Sequence, residues 1–148
     1  METEITKFPM EKLLESGPSL LVVPKSVGET PVDRYIQTPN VGETLPSGES
    51  LVAIIRIALL STPDEIKVTG ASRDGSTFWI ELEKRCYEGQ LAGNDPMMAL
   101  VQVDLGRLAR GHYEVVVAET TLGFLDLKHP ENAANPTVAL QRLRFEVR

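Results

Sequence analysis

One cysteine, two histidines and one tryptophan are present in 148 residues, so the side chains from which most active sites are built are scarce. Cys86 stands alone, so no intrachain disulfide can form, which fits a reducing compartment. His112 and His129 lie 17 residues apart, and no Cys-x-x-Cys pair exists to complete four ligands. No metal and no cofactor is therefore expected. Cations are also in short supply: 15 Lys and Arg face 21 Asp and Glu, a net charge of -6. Non-specific nucleic-acid binding relies on cationic surface, and that class is set aside. The longest apolar stretch, Leu51 to Leu60, is broken by Arg56, so no membrane span is expected. The first residues, Met1 to Lys7, are acidic and lack the apolar region of a signal peptide. The chain as written is thus expected to be cytoplasmic, with a mature exported domain as the alternative. Neither a Gly-x-Ser-x-Gly elbow nor a phosphate-cradling glycine loop occurs. An enzyme is not expected, because nothing supplies a base, a nucleophile and an orienting group together.

What is present is β pattern. Six of the ten prolines fall in residues 1–49, where they favour extended segments, turns and edge strands over a regular ladder. There, Leu20 to Val23 reads as a strand closed by Pro24, Tyr35 to Gln37 as another, and Phe8 to Glu15 as a short helical turn. From Ser50 onward the alternation is clear. Leu51 to Leu60 is apolar at both parities, the mark of a central strand covered on both faces. Asp74-Gly75 signals a hairpin, and Phe78, Ile80 and Leu82 alternate with Trp79, Glu81 and Glu83. A strand through Val101, Val103 and Leu105 leads to a bend, then to Tyr113–Ala118. In the last strand Gln141, Leu143, Phe145 and Val147 point inward and Arg142, Arg144, Glu146 and Arg148 outward. Seven to eight short strands without a long helix predict an all-β antiparallel sandwich, with a closed barrel second.

The bend carries a resemblance. Asp104, Leu108, Gly111 and Tyr113, followed by Val115 and Val117, are similar to the tyrosine corner of immunoglobulin-like sandwiches. With the Asp74-Gly75 hairpin and the closing strand Leu143–Val147, residues 50–148 resemble a bacterial immunoglobulin-like or fibronectin type III-like domain. Residues 1–49 then form a Pro-rich extension packed on it. The cysteine pair of antibody domains is missing. The resemblance implies a binding or spacing module that makes contacts through loops or a sheet edge, and fold alone names no activity.

The expected role is therefore non-enzymatic, a protein-interaction or assembly module whose partner is another protein. Trp79 lies on an outward parity, and an aromatic ring facing water calls for a cover. The Pro-rich segment is the preferred cover and a partner the other. The connection from Thr120 to Pro136 is unusually apolar for a long loop. The expected partner-binding residues are accordingly Trp79, Phe124, Leu125, Lys128, Arg142 and Arg144. A sugar-binding sandwich, with Trp79 and Tyr87 stacking on the ligand, is the second reading. Cys86 follows Lys84 and Arg85, but strand neighbours face opposite ways, so a partly buried, unreactive thiol is expected.

Overall fold

The computed structural model describes residues 1–9, 17–37, 44–59, 64–87, 97–124 and 136–148. Among them are nine strands, β1 (Thr3–Pro9), β2 (Leu20–Pro24), β3 (Thr44–Leu45), β4 (Ser50–Leu59), β5 (Glu65–Asp74), β6 (Thr77–Tyr87), β7 (Met97–Arg107), β8 (Gly111–Phe124) and β9 (Thr137–Val147), and one helix, α1 (Pro31–Gln37). The strands form two sheets, ordered β1-β7-β4-β2 and β3-β9-β8-β6-β5. The all-β, two-sheet architecture expected from the alternation is what the chain adopts.

The doubly apolar run forms β4, flanked by β2 and β7. Leu51, Ala53 and Ile55 face the second sheet, and Val52 and Ile54 face the other way, all fully buried. Each of the leucine, isoleucine and valine side chains among them contributes roughly 1.5–3 kcal/mol on removal from water. The inner core joins them to Phe78, Ile80 and Leu82 of β6, Val115 and Val117 of β8, and Phe145 and Val147 of β9. A second apolar cluster lies on the outside of the four-stranded sheet, where Tyr35 and Val32 of α1 cover Leu21, Val23, Val52, Ile54, Met98 and Leu100.

Among the described residues five of the seven strand pairings are antiparallel, and two, β3 with β9 and β6 with β8, are parallel. The second comes from chain routing: β6 and β8 are joined through β7, which lies in the opposite sheet. The hairpin between β5 and β6 turns at Gly75 and Ser76, with Asp74 paired to Thr77. Gly75 has φ 59°, and among the described residues only glycines have positive φ. That fits a type II′ turn, with glycine first in the loop, rather than the Asp-Gly turn the dipeptide suggests.

Residues 31–37 correct an expectation: they are helical, whereas Tyr35 to Gln37 reads as a strand. Thr30 caps the helix, its Oγ1 accepting from the Asp33 amide at 3.1 Å, and Pro31 occupies the first helical position. A second correction concerns the connection after Ala118, because β8 continues to Phe124 as strand. Phe8 and Pro9 belong to β1, and the rest of the expected helical turn, residues 10–15, lies outside the described residues. Residues 1–49 contribute β1 and β2 to one sheet and β3 to the other.

Candidate interaction surface

The outer face of the five-stranded sheet is set by register. Arg144 pairs with Glu114, Glu114 with Thr77, and Thr77 with Asp74. The next row runs Arg142, Val116, Trp79, Ser72, and the one after it Leu140, Ala118, Glu81, Gly70. Trp79 and Arg142 therefore flank Val116, which is fully buried although it lies on the outside of the sheet. Trp79 is 42% exposed, Leu140 59% and Val138 64%. Residues 1–49 are the preferred cover for the Trp79 ring, and residues 10–16 and 38–43 of that segment lie outside the described residues. Its strands extend the sheets, and α1 covers the outer face of the other sheet.

Glu114 organises the basic side of this face. Its two carboxylate oxygens accept from Arg142 Nη1 at 2.9 Å and Arg144 Nε at 3.0 Å. The hydrogen bond from Arg144, then that from Arg142, holds its carboxyl below the ordinary carboxylate range. At the other end Glu83 accepts from Arg85 at 2.7 Å and faces Lys67 at 3.6 Å, which lowers its pKa, the Arg85 hydrogen bond contributing most. These are exposed pairs, which orient side chains more than they stabilise.

A concavity of about 460 Å³ opens at the end of this sheet, lined by Ser76, Thr77, His112, Glu114, Arg144 and Glu146 among others. Arg144 is paired with Glu114 within this lining, and Glu146 is paired with Arg148 outside it at 2.9 Å. Among the described residues no group of three His, Cys, Asp or Glu is placed to hold a metal ion. Burial pushes the Cys86 thiol pKa up, with Asp64 and Glu119 adding to the rise and Lys84 opposing it. The thiol stays protonated at neutral pH and is a poor nucleophile.

At the bend, Leu108 and Tyr113 are in the inner core, and the Tyr113 hydroxyl donates to the Ala109 carbonyl oxygen at 2.7 Å. Gly111 has φ 155° and lies under the Tyr113 ring. Asp104 points elsewhere. Its Oδ2 accepts from Lys25 Nζ at 3.1 Å on the outside of the four-stranded sheet, and its Oδ1 is buried without a hydrogen-bond partner.

Of the residues expected to meet a partner, Trp79, Arg142 and Arg144 share this one face. Phe124 ends β8 opposite Tyr87, its side chain outside what is described, and Leu125 and Lys128 lie outside the described residues. The sequence reading missed Val138, Leu140 and Glu114. The outward parity of Arg142 and Arg144, carried two steps back along β9, would have found the first two. No family model matches the chain, and neither a curated protein nor a solved structure matches it.

Proposed function

We propose that the chain is a non-enzymatic protein-interaction module that engages its partner through the outer face of the five-stranded sheet. One contrast carries the reading. The outer face of the four-stranded sheet is covered by α1, whereas the other outer face leaves Trp79, Leu140 and Val138 in water beside a basic margin. Apolar groups clustered on one exposed face and rimmed by charge are a common feature of docking surfaces.

In this reading the domain is an immunoglobulin-like sandwich. The Tyr113–Ala109 hydrogen bond across the bend supports it, as does the pairing of β4 with β7 in one sheet and of β8 with β9 in the other. The parallel partnership of β6 with β8 departs from the antiparallel sheets of antibody domains. The sugar-binding alternative draws no support from the register, because Tyr87 lies eight residues from Trp79 along β6, about 27 Å at strand rise. A single sugar ring is far shorter than that backbone separation.

The test is affinity capture with the immobilised protein from the cells that express it, followed by quantitative mass spectrometry. A partner retained by the wild type and by Ile36→Ser, on the exposed side of α1, should be lost from Trp79→Ser/Leu140→Ser. An unchanged set of captured proteins would rule this face out.

A further inference from the structure

We infer that the partner seated on this face is a second copy of the chain, packed face to face across a two-fold axis parallel to the strands. The inference rests on the preceding reading of the face and adds its occupant. An axis running between β8 and β6 sets β8 of one copy against β6 of the other, and β9 against β5. Residues that share a row then meet across the interface. Arg144 of each copy faces Asp74 of the other, since both belong to the row through Glu114 and Thr77. Each Trp79 lies over the β8 column of the other copy, in the row of Val116.

Aligned sheets pack at roughly 30° to one another, which displaces the outer columns by only about one residue, within reach of an arginine. Four strands of this length present a footprint of roughly 500 Å² per copy, near the lower limit for specific association, so the dimer should be weak and concentration-dependent. The sheet edge is a poorer route to self-association. The register of β5 shifts between Val68 and Gly70, and antiparallel pairing of β5 with its own copy about that bulge sets Glu65 against Asp74.

Sedimentation equilibrium from about 1 to 500 µM tests this directly, with Trp79 emission as an independent readout on the unmodified protein. The wild type should pass from monomer to dimer in the micromolar range, with emission shifting to the blue as Trp79 is covered. Trp79→Ser should weaken the dimer at least tenfold. Arg144→Asp and Asp74→Arg should each be monomeric alone, because each homodimer opposes like charges twice. Mixed one to one they should form a heterodimer, with both Arg–Asp contacts restored. A wild type that stays monomeric with constant emission overturns the inference, as does a dimer indifferent to Trp79→Ser or a mixture that does not associate. Loss of captured partners from Trp79→Ser/Leu140→Ser in a protein that stays monomeric would keep the interaction reading while discarding this occupant.

Discussion

The Tyr113 hydroxyl reaches back four residues and donates to the Ala109 carbonyl oxygen at 2.7 Å, fastening the crossover between the two sheets. The Tyr113 ring stacks on Phe145, with centroids 5.6 Å apart, so ring and hydroxyl do separate work. Tyr113→Phe keeps the ring and strands a part-buried acceptor. It should cost about 1–2 kcal/mol in urea unfolding with an unchanged m-value.

Phe78 and Trp79 are neighbours on β6 that face opposite ways, one fully buried in the inner core and the other 42% exposed. Phe78→Ala should destabilise by roughly 3–5 kcal/mol through the cavity it leaves. Trp79→Ser should cost no more than about 1 kcal/mol, within the range of surface changes. Equal losses at the two positions in parallel denaturation curves would show that Trp79 is core.

Arg34 is 7% exposed, and its guanidinium donates to Gln102 Oε1 at 2.9 Å and to the Lys25 carbonyl oxygen at 2.8 Å. These bonds join α1 to β7 and to the turn after β2. Arg34→Ala removes the donors and leaves Gln102, itself buried, unsatisfied, so a loss of about 3 kcal/mol is expected. Hydrogen exchange should then accelerate first in the amides of α1, the helix whose Tyr35 and Val32 cover the outer cluster.

The Glu114 carboxyl titrates below its ordinary range because Arg144 and Arg142 donate to it. A depressed folded-state pKa stabilises the fold above the unfolded value, roughly pH 4.3, and that contribution is lost as pH falls through the lower folded value. Wild type and Glu114→Gln should therefore differ in Tm at pH 7, and the gap should close towards pH 3. A constant gap would mean that the carboxylate charge is not what the arginines hold.

Because burial raises the Cys86 thiol pKa, alkylation by iodoacetamide at pH 7.5 should be slower than that of a free cysteine. The rate should climb further with pH than the free thiol's does, since the thiolate forms later. Denaturant should abolish the difference.

Alternation made β4 to β9 legible, because a strand with one buried face has no other way to distribute its side chains. The inward parity of Leu143, Phe145 and Val147 and the outward parity of Arg142 and Arg144 hold in the structure for the same reason. Helix α1 was missed although Thr30, Pro31 and Asp33 are start signals, since seven residues are too few for a periodicity to show. Which strand lies beside β8 could not be read at all. Parity tells which face a residue occupies and says nothing of the neighbouring strand. The exposed face was half visible: Trp79 and the arginines stood out by type, whereas Val138 and Leu140 look like ordinary core residues unless the outward parity of Arg142 and Arg144 is carried back along β9.

The parallel partnership of β6 and β8 has a consequence for how the chain assembles. Strand β8 can take its place beside β6 only after the chain has crossed to the other layer as β7 and returned. Neither layer is a contiguous stretch of chain, so the two must acquire structure together, and long loops have to close before their contacts form. Cutting the polypeptide between β6 and β7 should yield two fragments that are each unstructured alone and regain the native spectrum only when mixed.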